Sequence, residues 1–145
     1  MSREPKTERV GIYWRRDLWD LARSAYVADL DDDPSAPGAF LRWLHRAIER
    51  HAARTPAERA AFAETTASGT RSGGGLRTSH PLSTTTIGLI QDAIVGERRH
   101  SGRVISRSAF VQEAAVAAAA LTRQRRGRRA LPPPPARLTN RPPRR

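Results

Sequence analysis

Seven residues near the start of the chain, Arg9-Val10-Gly11-Ile12-Tyr13-Trp14-Arg15, constrain its fold more than any other stretch. Val10, Ile12 and Trp14 alternate with Arg9, Gly11, Tyr13 and Arg15, the period-2 pattern of a half-buried strand with one apolar face and one polar face. The period then changes. Leu18, Trp19, Ala22, Tyr26 and Leu30 recur mostly at the spacing of an amphipathic helix. A break over Asp31-Asp32-Asp33-Pro34-Ser35-Ala36-Pro37-Gly38 leads to a second helical pattern carried by Phe40, Leu41, Leu44, Ala47, Ile48 and His51. Such a strand-helix-turn-helix unit, roughly 45 residues long, buries too little surface to stand alone, and its lone strand leaves backbone N–H and C=O groups unpaired. It needs a second copy.

The same chain supplies a candidate. Thr55-Pro56-Ala57-Glu58-Arg59 reads as a helix start, with Thr55 as cap and Pro56 in the first turn, giving a short extra helix through about Phe62. From Glu64 to Gly75 the composition falls largely to Thr, Ser, Ala and Gly, which marks a linker with a span of roughly 20 Å. Beyond it Leu76 to Ser83 takes the place of the strand, Thr84 to Arg98 that of the first helix and Ser106 to Arg123 that of the second. Placing Trp14 on Leu82 and Phe40 on Phe110 also superposes Trp19 on Ile87, Tyr26 on Ile94 and Leu44 on Ala114. The expected organisation is a flexible arm over 1–7, a first unit over 8–54, a helix and linker over 55–75, a second unit over 76–127 and a disordered basic tail over 128–145.

The two halves are unlike. Where the first has Leu44 and Ile48, the second has Ala114 and Ala118, so a fused pair could set large residues against small ones. The alternative is that alanines simply make a good helix. The second strand would turn Thr78, His80 and Leu82 inward and Arg77, Ser79 and Pro81 outward. His80 is a poor core residue, and Pro81 is tolerated only where the ribbon needs no donor.

The stretch Val10-Gly-Ile-Tyr-Trp-Arg-Arg-Asp-Leu-Trp-Asp-Leu-Ala-Arg, and the run Ser106-Arg-Ser-Ala-Phe-Val-Gln-Glu-Ala, resemble the ribbon-helix-helix proteins of the Arc and MetJ type. The resemblance covers about Glu8 to Gly127, interrupted by the linker. It implies a mainly α protein with a short two-stranded antiparallel ribbon, a tandem ribbon-helix-helix pseudo-dimer that binds double-stranded DNA through the major groove. Whether the copies pair within or between chains is left open by the sequence.

On that reading the outward ribbon face supplies base contacts from Arg9, Gly11, Tyr13, Arg77 and Ser79, because an arginine on a strand in the groove can donate two hydrogen bonds to a guanine edge. Phosphates would meet the starts of the second helices, where free N–H groups and the helix dipole suit an anion. Those positions are Ser35 and Gly38 in the first unit, and Ser106, Arg107 and Ser108 with Arg98 and Arg99 in the second. The acids Asp31 to Asp33 weigh the clamp toward the second unit. Arg125, Arg126, Arg128 and Arg129 in the tail would add salt-dependent phosphate contacts.

Net charge is +12, and Arg123 to Arg145 hold nine arginines and no acid, leaving about +3 for everything before them. Cysteine is absent, which excludes disulfides and thiolate metal sites and fits a reducing cytoplasm. No apolar run approaches the roughly 18 residues of a membrane span, and the start is unlike a signal peptide. His45 and Glu49 lie four apart but lack a third metal ligand, Gly73-Gly74-Gly75 is no phosphate loop, and nothing links a serine to a base. The reading is a non-enzymatic, cofactor-free bacterial repressor, cytoplasmic and nucleoid-associated, with higher self-association on DNA. The alternatives are a plasmid partition or conjugation accessory factor with a partner protein, and an adaptor whose ribbon no longer reads DNA.

Overall fold

The computed structural model describes residues 6–67 and 74–136. The chain is mainly helical, with five helices and one two-stranded antiparallel sheet. Strand β1 (Thr7–Arg15) runs directly into α1 (Arg16–Asp32), which is followed by α2 (Phe40–Ala53) and α3 (Pro56–Ala67). Strand β2 (Gly75–Ser83) runs as directly into α4 (Thr84–Ser101), and α5 (Arg107–Arg126) comes last. The order strand, helix, helix thus occurs twice, with α3 between.

The strands pair in a register that sets Arg9 against Pro81, Gly11 against Ser79 and Tyr13 against Arg77. Thr84 N–H donates to the Lys6 carbonyl at 2.9 Å in the same register, so 6/84 is a hydrogen-bonded pair. Bonded and non-bonded pairs alternate along an antiparallel ladder. Arg9/Pro81 is therefore a non-bonded pair, and the nitrogen that proline leaves without hydrogen points away from β1. That placement is why the ribbon accepts Pro81. Lys6 and Thr7 belong to the paired region rather than to an arm, and Met1 to Pro5 lie outside the described residues.

The underside of the ribbon forms the roof of the core. Val10, Ile12, Trp14 and Leu82 are all but inaccessible, above Phe40, Leu44, Ile48, Ile90 and Phe110. The polar inward residues of β2 are satisfied in place: Trp14 Nε1–H donates to Thr78 Oγ1 at 2.8 Å, and Thr78 Oγ1 lies 2.7 Å from His80 Nε2. With its hydroxyl accepting from the indole, Thr78 donates to a neutral His80, whose pKa is held down first by burial and then by the charges of Arg9 and His45.

Helix α5 is the central member. It packs on α1, α2, α3, α4 and β1, whereas the consecutive helices α1 and α2 touch little. A helix surrounded in this way needs small side chains, and Ala114, Ala115, Ala117 and Ala119 are buried along it beside Phe110 and Val111.

Helix α3 begins with a capping box: Thr55 Oγ1 accepts from Glu58 N–H at 3.2 Å, and Glu58 accepts from Thr55 N–H at 2.9 Å. The helix runs to Ala67, past the Phe62 expected for it and into the segment read as linker; residues 68–73 of that linker lie outside the described residues. From α3, Arg59 enters the interior. Its guanidinium donates to Glu97 at 2.6 Å and to the carbonyls of His51, Ala52 and Arg54 at the end of α2. Arg103 bridges Glu97 at 3.2 Å and Glu113 at 2.6 Å, and Glu113 in turn faces His51 Nε2 at 3.3 Å. His51, Glu97, Arg59 and Glu113 are all buried. Arg54 donates to His51 Nδ1, so the proton of a neutral His51 sits on Nε2 and points at Glu113.

Helix α5 ends at Gly127, whose φ of 65° lies in the left-handed region that glycine enters readily. Residues 128–136 then lie beside α1, where Arg23 donates to the Pro135 carbonyl; residues 137–145 are outside the described set.

Two outcomes follow. Replacing Ala114 by Leu should cost about 1–3 kcal/mol by overpacking at the centre of the bundle, read from urea unfolding. Acid should destabilise the fold in two steps. Burial pulls His51 below its ordinary 6.5, so the unfolded chain binds a proton that the native chain refuses, and stability present above about pH 6.5 is lost as pH falls through the lower native value. Burial pushes Glu113 up, but hydrogen bonds from His51 and Arg103 outweigh it and hold the carboxyl below 4.5, which adds a further loss at lower pH. Thermal melting between pH 8 and 3 checks both, and His51→Gln should reduce the fall in the first step.

Candidate nucleic-acid interface

The outward face of the ribbon carries Arg9, Gly11 and Tyr13 on β1 and Arg77 and Ser79 on β2, all exposed. Each sits in a non-bonded pair by the alternation above, where facing side chains approach most closely. Two glycines make room for the large members. A Cβ on Gly11 would lie 3.1 Å from the Arg77 guanidinium, and one on Gly75 would lie 2.1 Å from the Tyr13 hydroxyl. Arg77 therefore leans across β1 at Gly11, and the Tyr13 ring lies over β2 at Gly75 while remaining 59% exposed. The result is a low platform with a phenol and a guanidinium side by side.

The ribbon edges are sealed by the helices beneath. N–H groups at non-bonded positions point away from the partner strand, and α5 accepts two of them: Tyr13 N–H donates to Ser108 Oγ at 2.9 Å and Arg15 N–H to Gln112 Oε1 at 2.8 Å. On the other edge Ser83 N–H donates to His45 Nε2 at 3.2 Å, while His45 Nδ1 faces the Leu41 carbonyl at 2.9 Å. His45 is thus an edge anchor. These bonds hold the first two turns of α5 and the second turn of α2 against the two sides of the ribbon.

Helix α5 starts at the expected serine, whereas α2 starts later than expected. In α5 Ser106 is the cap, accepting from Ala109 N–H at 3.0 Å, and Phe110 N–H makes the first helical bond, which leaves the Arg107 and Ser108 N–H groups without an acceptor in the helix. Ser108 still has its hydroxyl proton to donate. Helix α2 begins at Phe40, after the Ser35–Gly38 segment expected to open it, and its cap residue Ala39 offers no side-chain acceptor. The N–H groups of Phe40, Leu41 and Arg42 precede the first helical bond, from Trp43 to Ala39. Asp33 Oδ1 accepts from both the Ser35 backbone N–H, at 2.9 Å, and its hydroxyl, at 2.7 Å. Those bonds hold the Asp33 carboxyl below its usual range and put a negative charge where a phosphate was expected. The Gly38 carbonyl accepts from Tyr26 at 3.2 Å.

Three of the four tail arginines assigned to phosphate are bound internally. Arg125 pairs with Asp29 at 2.7 Å, Arg126 with Asp32 at 2.6 Å, and Arg129 with Asp32 at 3.5 Å. The aspartates at the end of α1 thus collect cations from the end of α5 and the residues after it. Asp29 also accepts from Trp43 Nε1 at 2.7 Å and Thr122 at 2.9 Å, which ties α1, α2 and α5 together. Arg128 is exposed, as are Arg107 and, in the last turn of α4, Arg98 and Arg99. Arg15 closes one end of the ribbon by a bidentate pair with Asp17 at 2.7 Å, which raises the arginine pKa and lowers that of the acid, and by a bond to the Thr66 carbonyl.

Sequence reasoning missed Gln112 and His45 as ribbon contacts, because an edge acceptor has no period of its own. Gly75 could have been found by extending the outward alternation two residues before Arg77. Among the described residues no group of three potential metal ligands occurs and no helix is long and apolar enough to cross a membrane. Comparison with protein-family models, curated proteins and solved structures gives no match.

Gly75→Ala should displace the Tyr13 ring while changing stability by no more than about 0.5 kcal/mol, since the clashing atoms are the free end of an exposed side chain. Ring-proton shifts of Tyr13 and a parallel denaturation curve check the two halves of that statement.

Proposed function

We propose that the chain is a tandem ribbon-helix-helix protein, a single-chain pseudo-dimer, that reads double-stranded DNA by laying the β1/β2 ribbon in the major groove. One observation carries this reading. The superposition of Trp14 on Leu82 makes Gly11 the counterpart of Ser79, and Gly11 and Ser79 are the residues that face each other in the ribbon. A two-fold axis requires such a residue to meet its own equivalent. The same superposition carries Thr7–Arg15 onto Gly75–Ser83, the observed bounds of both strands.

The ribbon edges support the same relation. Tyr13, whose N–H needs an acceptor, corresponds to Pro81, which has no N–H; Ser108, which accepts it, corresponds through Phe40 and Phe110 to Gly38, which has no hydroxyl. Donor and acceptor are lost together. The packing of α5 on α1 and α2 is what interlocked halves produce.

In this role Arg9 and Arg77 donate to base edges, Tyr13 and Ser79 add hydrogen bonds or contact a thymine methyl, and the starts of α2 and α5 take the flanking phosphates through backbone N–H groups. Because the two strands differ, the site is non-palindromic. The biological role that fits best is transcriptional repression by occupancy.

Selection from random duplexes should recover one asymmetric site. Arg9→Ala and Arg77→Ala should each relax base choice by about 1–3 kcal/mol at different positions, with folding unchanged. Recovery of no preferred sequence, or selectivity untouched by both changes, overturns the proposal.

A further inference from the structure

The two edges of the ribbon are tied to the helices unequally. On the α5 edge two side chains reach the strand, Ser108 to Tyr13 N–H and, one turn later, Gln112 to Arg15 N–H. On the α2 edge the described residues supply one such bond, from Ser83 N–H to His45. The missing tie is the one that Pro81 and Gly38 cannot make. A cleft of about 320 Å³ stands open there, between Pro81 and the start of α2. That volume is at the lower end of the range for small-molecule sites, about 300–1,000 Å³.

The walls of the cleft are aromatic. Trp19, Phe40 and His80 all line it, with ring centres 5.4 to 6.2 Å apart in every pairing, and Leu41 and Pro81 complete the apolar part. The polar groups that line it can all donate. Arg9 and Ser79 stand on its ribbon side, and among the described residues no carboxylate lines it. The N–H groups of Phe40 and Leu41 precede the first helical bond of α2. His80 adds a donor of fixed placement. Thr78 accepts from the Trp14 indole and donates to His80 Nε2, which leaves the proton of the neutral ring on Nδ1. Among the described residues no hydrogen bond takes that proton.

An aromatic wall, a guanidinium and no acid together suit a ligand with a flat apolar body and a negative end. A phosphate alone would leave the rings without a partner, whereas a carboxylate carried on a ring satisfies both. We infer that the cleft is an effector site for a small aromatic carboxylate, whose ring lies against Trp19 and Phe40 and whose charge pairs with Arg9, and that filling it weakens DNA binding. The second half rests on the DNA-reading proposal above. Arg9 cannot pair with the ligand and donate to a base edge at once, and the added negative charge sits beside the α2 start that takes a phosphate.

The test uses the full chain, with benzoate and indole-3-carboxylate as probes. Benzamide keeps the ring and loses the charge, acetate keeps the charge and loses the ring, and inorganic phosphate stands in for the DNA backbone. Titrations are followed by ring-proton and amide signals. The two acids should saturate at roughly millimolar levels and shift Trp19, Phe40 and His80 most. Benzamide and acetate should each bind about tenfold more weakly or worse, and Arg9→Gln should weaken benzoate by about tenfold. Leu41→Trp, which fills the cleft, should abolish binding. On a duplex recovered by selection, benzoate at its half-saturating concentration should raise the apparent Kd about twofold.

No saturable binding of either acid overturns the inference. So does phosphate or acetate binding as tightly as benzoate, which would make the cleft a seat for the DNA backbone. Binding that leaves DNA affinity unchanged overturns the coupling. If a duplex is selected and neither acid binds, the effector site falls and the ribbon reader stands. If the acids bind and no duplex is selected, the site stands and the reader falls.

Discussion

A short strand with one apolar face has two needs at once, partners for a row of peptide groups on each side and cover for a hydrophobic underside. Pairing β1 with β2 meets the first on the inner edges, and the roof it forms over Phe40, Ile90 and Phe110 meets the second. The outer edges are met by Ser108, Gln112 and His45, each reaching up from a helix. Those bonds seat the helices, and the seated helices bury the underside. Sheet, helix placement and core are thus consequences of one pairing, and an unpaired edge would also be a template for aggregation.

Beneath the ribbon the molecule is held in two chemically distinct ways. Around α5 the contact is close packing, possible because alanine lets four helices and a strand approach a single axis. Behind it, Arg59 and Arg103 alternate with Glu97 and Glu113 in a buried chain that spans α2, α3, α4 and α5. Removing one member of such a chain leaves an uncompensated charge, which costs far more than the intact set contributes. Alanine packing permits the shape, and the ionic chain penalises departures from it.

The parts of this arrangement that repeat along the chain are legible in the sequence. The alternation Val10, Ile12, Trp14 places the strand and sorts its faces, and Ser106 and Thr55 mark helix starts because capping chemistry is local. What stays hidden depends on partners distant in sequence. Arg125, Arg126 and Arg129 read as phosphate contacts in a basic tail, because their partners Asp29 and Asp32 lie more than ninety positions earlier. Arg59 reads as an ordinary helix charge, yet it is 3% exposed. The partner of Ser35 is local by contrast: Asp33, two residues away, accepts from its N–H.

Arg15 shows what the connection between the two strand-bearing segments has to do. It pairs across the ribbon with Gly75 and binds the carbonyl of Thr66, so one residue holds the places where the chain leaves α3 and where it re-enters the sheet. With β1 and β2 on one polypeptide, their pairing is a unimolecular event. Its equilibrium carries no dependence on protein concentration, unlike a ribbon assembled from two molecules.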